Sequence, residues 1–387
     1  MKIIYLHRTQ GEEPESIHIL SIVNALKGLG NEVEIVGPSK KDMSTAGTNV
    51  KLLSRIKKYM PGFLFELAQV FYNFVSYKRI LSSIDDYNPD FIYERYALYS
   101  FAGVMAAKRK KVPLILEVNT PYAHAWSKYY KLHFPALAKR LEKYILNKAS
   151  HIITVTQVQK EFLADHYTDQ DKISVCHNAI SKEEFDPTIS PIEIDWKIQD
   201  PVVVGFVGTM NRWQGIPILS KVIPEILKNL PNAVFLLVGD GEFKYELEQS
   251  INATQNEGRV VFTGRVAHKD VPAYVNAMDI AILPDSNTYG SPMKIFEYMA
   301  MKKAIIAPDV EPVREIMTHN KTGIIIGRSN QQDMTNAISN LVLNKELRHQ
   351  LSENGYKYVI QNHTWETNAR TIIDVAHYIT SDENIHV

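Results

Sequence analysis

The chain has 387 residues, 45% of them hydrophobic, and its 43 Lys and Arg balance 43 Asp and Glu. That length exceeds one ordinary domain, and zero net charge gives neither the basic signature of a nucleic-acid binder nor an acidic one. The single cysteine, Cys176, excludes an internal disulfide and lies in a strand-like run, which suits a buried, inert thiol.

The first ten residues, MKIIYLHRTQ, read as a strand and not as a signal peptide, and no run reaches the roughly 18 apolar residues of a transmembrane helix. The expectation is a cytoplasmic protein, with contact at the inner face of the membrane left open. Residues 3 to 6 form an apolar strand, followed by a polar loop containing His7, Arg8 and Gly11. Ile19, Ile22, Val23 and Leu26 recur at helical spacing until Gly30 stops the helix. Residues 33 to 36 are the next strand, and strand–helix–strand order predicts a parallel sheet.

Residues 40 to 90 break this rhythm. Lys51, Arg55, Lys57 and Lys58 form a basic run, and Pro61-Gly62 separates it from an apolar, aromatic stretch over 63 to 84. Glu66, Gln69, Asn73 and Lys78 interrupt the stretch, so it does not span a membrane. Two readings stay open: helices packed on the sheet, or an interfacial patch over 51 to 84 that meets anionic lipid. Further strands fall at 91 to 93, 113 to 118, 151 to 155 and 173 to 176, with a helix over 134 to 146. Residues 181 to 200 lose periodicity and gain charge and proline, as a linker would.

The pattern then restarts. Residues 202 to 207 are a strand, GTMNRWQG at 208 to 215 is a Gly-bounded loop, and a helix follows in which Pro224 should cause a kink or a split. Strands continue at 233 to 238, 260 to 262, 280 to 283, 304 to 306 and 323 to 326, and helices close the chain from about 331 to 379. The prediction is an α/β protein of two tandem doubly wound, Rossmann-like domains facing across a cleft, with ligands at the C-terminal ends of the strands. No GxGxxG follows either first strand, and there is no GxxxxGK[ST], HExxH, GxSxG or cysteine cluster. Dinucleotide, P-loop, metalloprotease and α/β-hydrolase chemistry therefore lack support. Asp169-Gln170-Asp171 has carboxylate spacing for a metal but reads as a solvated loop.

The stretch with the most chemistry is YGSPMKIFEYMA, residues 289 to 300. Ser291 suits a helix N-cap and Pro292 the first helical position, while Gly290 permits unusual dihedrals. A helix start with free N–H groups favours an anion, and Lys294 in the first turn makes sense beside one. Glu297 lies one turn on, placed for ribose hydroxyls if the anion is a nucleotide diphosphate. The plain alternative is a capped helix with Met293, Phe296 and Met299 in the core.

VGFVGTMNRWQG at 204 to 215, FLLVGDGEF at 235 to 243, the run at 279 to 309 and TGIII at 322 to 326 resemble the C-terminal domain of the family 4 glycosyltransferases. In the first half, residues 7 to 38, IYERYALYS, LILEVNTP, ITVTQVQKEF and VCHNAI are similar to one branch of that family. The resemblance implies the two-domain GT-B fold, with an acceptor-side domain over 1 to 185, a donor-binding domain over 195 to 365, and a last helix, about 366 to 387, that packs back on the first. It implies transfer of a sugar from a nucleotide diphosphate donor, UDP-linked by family frequency, to a hydroxyl. Retention of configuration and no metal or other cofactor are part of that expectation.

The same resemblance assigns roles. Donor contacts would be Gly208, Thr209, Arg265, Tyr289, Gly290, Ser291, Pro292, Met293 and Glu297. Arg212 and Lys294 would stabilise the leaving diphosphate. Asn119 and His124 join them on the catalytic side, and His7, Arg8, Gly11, His18 and Glu117 are acceptor-side candidates. The chain departs from the family pattern at four positions: Tyr289 replaces the first of two glutamates, Thr209 and Gln214 replace an Arg and a Lys, and Asn119 replaces a histidine. The departures read as a coherent branch in which Arg212, Ser291 and Lys294 take over. The expected partners are a nucleotide sugar and either a lipid-linked saccharide or a small soluble acceptor such as an aminocyclitol, without nucleic acid. The remaining alternatives are another GT-B enzyme that handles nucleotide sugars, such as an epimerase, and a non-catalytic nucleotide-sugar-binding partner subunit.

Overall fold

A computed structural model describes residues 1–9, 13–38, 60–124, 132–252 and 258–381. The chain divides into two compact units, Met1–His177 with Trp365–Val387, and Asn178–Thr364. The first unit alternates β1 (Lys2–Leu6), α1 (Glu13–Gly28), β2 (Glu32–Val36), α2 (Gly62–Tyr87), β3 (Phe91–Arg95), α3 (Ala102–Lys110), β4 (Leu114–Val118), α4 (Pro135–Lys148), β5 (His151–Thr154), α5 (Gln157–His166) and β6 (Ile173–Val175). Its six strands are parallel, in the order β2-β1-β3-β4-β5-β6. The order reverses between β1 and β3, where the switch-point crevice of such a sheet lies.

The second unit holds β7 (Val202–Val207), α6 (Ile216–Asn229), β8 (Ala233–Val238), α7 (Lys244–Asn252), β9 (Val260–Gly264), α8 (Val271–Asn276), β10 (Ile280–Ile282), α9 (Met293–Ala300), β11 (Ala304–Pro308), α10 (Glu311–Arg314), β12 (Ile324–Ile326), α11 (Gln331–Leu343) and α12 (Lys345–Asn362). These strands are also parallel, ordered β12-β11-β10-β7-β8-β9, with the reversal between β7 and β10. Every residue of β7 and β8 is buried, as expected of a strand covered on both faces by helices. The last helix, α13 (Trp365–Thr380), belongs to the first unit and packs along α1.

Residues 181–200 do not behave as a bare linker. They belong to the second unit, where Phe185 and Trp196 are buried in its core and Ile192, Ile194 and Ile198 pack against it. Apolar side chains spaced irregularly carry no periodic signal, so this segment looked unstructured in sequence. Helix α6 also runs unsplit through Pro224, because six buried side chains hold it on the sheet despite the missing N–H.

The 63–84 stretch is part of one long helix, α2. Among the described residues no helix is long and apolar enough to cross a membrane. Two polar interruptions of α2 prove structural. Asn73, 2% exposed, accepts from the Phe101 and Ala102 N–H groups at the start of α3 at 2.9 and 3.0 Å and donates to the Tyr99 carbonyl at 2.7 Å. Glu66 accepts from the N–H groups of His133 and Phe134 at 2.8 and 3.1 Å, at the start of α4, and from the Tyr99 hydroxyl at 2.7 Å. A carboxylate at that end also complements the helix dipole. Asn73→Ala would leave buried backbone groups unpaired, so the unfolding free energy measured in urea should fall by about 2 kcal/mol, and a loss below about 0.5 kcal/mol would contradict this role.

Candidate functional site

The second unit gathers its polar groups at the β7–β10 switch point. Gly208 follows β7 at φ +149°, and a Cβ there would strike Lys294 Nζ and Gln214 Oε1. Lys294, in the first turn of α9, sends its ammonium under this loop. It donates to Gln214 Oε1 and sits 4.8 Å from the Phe206 ring centroid. Gln214 is itself buried and donates to Thr209 Oγ1 at 2.8 Å. Thus Thr209 and Gln214, the positions lacking the family cations, are joined to a cation supplied by α9. Burial lowers the Lys294 ammonium to about 8, opposed by the charge of Glu297.

Glu297 does not form an ion pair with Lys294. Its carboxyl is pushed up by burial, opposed by His268 and Lys294, and no hydrogen bond to it contributes. His268 Nδ1 lies 2.8 Å from Glu184 Oε1, so a second carboxylate balances that histidine. Arg265 is exposed just after β9. Arg212 is also exposed, with its guanidinium 5.0 Å from the Phe243 ring centroid; it does not join the Lys294–Gln214–Thr209 chain.

The start of α9 differs in detail from the sequence expectation. Pro292 is the cap residue, no side chain caps the helix, and the helical residues begin at Met293. Ser291 is not the N-cap, because its hydroxyl accepts from the Asn178 N–H at 3.2 Å while Asn178 Nδ2 donates to its carbonyl at 3.1 Å. Gly290 has no positive φ. Asn287 Oδ1 accepts from the N–H groups of Tyr289 and Gly290 at 3.1 and 2.5 Å and fixes that turn. The Ile295 N–H donates to the Pro292 carbonyl at 3.1 Å, and the uncapped N–H groups of Met293 and Lys294 suit an anion beside the Lys294 ammonium.

Sequence reasoning missed Asp285 and Arg328. Arg328 Nε donates to Asp285 Oδ1 at 2.8 Å and its Nη2 to the Ser286 carbonyl at 3.3 Å, while the Asp285 N–H donates to the Gln214 carbonyl at 3.1 Å. This network ties the loop after β10 to the loop after β7. No short motif marks it, since its members lie 43 residues apart.

In the first unit, Glu117, 3% exposed, is an internal hub. It meets His18 Nε2 at 3.0 Å and Arg95 Nη1 at 2.7 Å, and it accepts from Asn119 Nδ2 and from the Tyr5 hydroxyl at 3.4 Å. Although burial opposes ionisation, His18 and Arg95 hold its carboxyl well below the usual range. His18 and Asn119 are therefore positioned by one buried carboxylate, and the His18 ring also meets Trp365 edge-on at 4.7 Å. His124 packs elsewhere, 4.6 Å from the Phe162 ring. His7 and Arg8 line a separate pocket of this unit. Gly11 lies outside the described residues.

Two family models match the chain. The model of group 1 glycosyl transferases covers residues 192–358, and that of glycosyltransferase family 4 covers residues 16–184. The α-D-kanosaminyltransferase of Streptomyces kanamyceticus is 22% identical over 251 residues, 63% of this chain and 64% of that protein. The UDP-Gal:α-D-GlcNAc-diphosphoundecaprenol α-1,3-galactosyltransferase of Escherichia coli is 25% identical over 266 residues, 67% of each. The chain spans under two thirds of the length of several curated relatives, down to 59%. Anabaena Alr3699/HepE, solved in complex with UDP, matches 98% of this chain and all of that one with a TM-score of 0.70 at 16% identity, a likeness of fold.

The buried ammonium gives a signed prediction. An anion bound beside Lys294 retains its proton, so affinity is full below pH 8 and falls as pH rises past it. Calorimetric titration of UDP between about pH 7 and 9 should show this fall, and Lys294→Met should bind about tenfold more weakly without it. A slope shared by the wild type and Lys294→Met would contradict the placement.

Proposed function

Because the chain belongs to the family 4-type glycosyltransferases of GT-B architecture, we propose that it transfers a sugar from a UDP-linked nucleotide sugar to a hydroxyl acceptor, with retention and without a metal. The observation that carries this reading is the pairing at α9: a part-buried, hydrogen-bonded Lys294 at the helix start and, one turn on, a Glu297 carboxyl that has no ion pair with it and, among the described residues, no hydrogen bond that shifts its pKa. The ammonium and the uncapped N–H groups suit a diphosphate whose charge grows as the sugar bond breaks. Glu297 suits two vicinal ribose hydroxyls. Tyr289, set beside the Asn287 turn, would meet the sugar by hydrogen bonding or stacking where the family uses a carboxylate. The departing phosphate can take the acceptor proton, so no protein base is required. Asn119 and His18, anchored on Glu117, would line the acceptor side.

The sugar fits the glucose or N-acetylglucosamine type, and the acceptor a lipid-linked saccharide of cell-surface polysaccharide or glycoconjugate assembly. The E. coli relative acts on such an acceptor by its name. Helix α2 supports a peripheral membrane contact at the inner face, because Phe71, Phe74 and Val75 are 63%, 66% and 55% exposed. The kanosaminyltransferase relative favours a second reading, a small soluble aminocyclitol acceptor.

The test is a product screen with UDP-glucose and UDP-N-acetylglucosamine, in EDTA, against lipid-linked and soluble acceptors. The expected result is a new glycoside with the donor's anomeric configuration, and a donor KM raised about tenfold in Glu297→Ala, as loss of charged hydrogen bonds implies. Turnover abolished by EDTA, or an inverted product, would overturn the mechanism.

A further inference from the structure

The first unit has a pocket at its own switch point, where the C-terminal ends of β1 and β3 meet α2. Its polar lining includes Arg8, Arg79 and Glu94, with His7, Tyr72, Ser76 and Ser100. Arg8 Nη2 donates to the Gln69 carbonyl at 3.1 Å, and its guanidinium lies 4.9 Å from the Tyr72 ring centroid. Its Nη1 is buried and, among the described residues, has no hydrogen-bond partner. Arg79 donates to the Gly37 carbonyl and to the Tyr72 hydroxyl, the latter at 3.3 Å.

Glu94 is the one carboxyl of the lining, 3% exposed. Its Oε1 accepts from the Ser100 hydroxyl at 3.1 Å and its Oε2 is buried without a partner. Glu94 and Arg8 do not form an ion pair. Register explains the placement: Glu94 pairs with Leu6, so it points to the sheet face opposite the Glu117 cluster. Burial pushes Glu94 up to about 7, opposed by Ser100 and Arg8. The Arg8 guanidinium thus faces a carboxyl that is only partly ionised at neutral pH, while Arg79 lines the same pocket from the Gly37 and Tyr72 side. A buried cation without a full counter-charge is costly, and Arg presents a planar fork suited to two oxygens of one anion. A protonated Glu94 would add an O–H donor on the other side of such a group.

We propose that this pocket is a subsite for an anionic oxygen group, a phosphate or a carboxylate, carried by the acceptor and gripped by Arg8 with Arg79 behind it. The assignment of that group to the acceptor rests on the glycosyltransferase reading; the anion site itself does not. It makes acidic saccharides or phosphate-bearing acceptors the preferred class.

The experiment titrates inorganic phosphate, and separately acetate, into the protein already saturated with UDP, so that the anion site at α9 is filled. The expected result is saturable binding of at least one probe in the millimolar range, weakened about tenfold or more in Arg8→Ala, with Arg8→Lys intermediate because it keeps charge and loses the fork. The two probes separate a phosphate from a carboxylate. Arg79→Gln should weaken the same probe, and it decides the matter if Arg8→Ala fails to fold. No saturable binding, or equal affinity in wild type and folded Arg8→Ala and Arg79→Gln, overturns the subsite. If UDP binds normally while the probes do not, only the subsite falls. If UDP itself does not bind, the UDP-donor reading falls, and the probes are then read on the UDP-free protein.

Discussion

A buried ammonium beneath a glycine loop is the constraint on which the second unit's chemistry depends. Lys294 reaches the underside of the β7 loop because position 208 has no side chain, and it stays there through Gln214 and the Phe206 ring. Desolvation raises the energy of that charge, and an anion bound beside it would relieve it. The sheet order sets the geometry: β7 and β10 part at the switch point, so the β7 loop and the α9 start converge there. Asp285 and Arg328 brace the same convergence from the loop after β10.

The first unit treats its charges in two different ways. On one sheet face, Glu117 is saturated by His18, Arg95, Asn119 and Tyr5, so its carboxylate is an internal counter-ion that fixes side chains around it. On the other face, Glu94 and Arg8 each keep an unpaired atom in a pocket. Satisfied buried groups specify structure, whereas unsatisfied ones need a ligand or water. That contrast sets an internally balanced cluster beside an incompletely paired one within one sheet, at neighbouring strand positions.

Much of the fold was legible because parallel strands buried on both faces are short apolar runs. VVVGFV and AVFLLV stand out from any helical pattern, and the observed β7 and β8 keep those bounds. Lys294 and Glu297 were legible as a pair because three residues of helix fix their relation. What sequence could not show depends on distant partners. Ser291 has every mark of an N-cap, yet Asn178, 113 positions away, takes its hydroxyl. Phe185 and Trp196 lie in a segment without periodicity, and only their burial reveals it as core. Glu66 and Asn73 read as flaws in an apolar helix until the starts of α3 and α4 are seen against them.

The most direct test of the central claim, a metal-independent nucleotide site built on Lys294 and Glu297, is calorimetric binding of UDP, GDP and ADP with and without EDTA. The account predicts that UDP binds best, that chelation changes nothing, and that Glu297→Ala binds UDP about tenfold more weakly. Binding that vanishes in EDTA, or that survives Glu297→Ala unchanged, would contradict it.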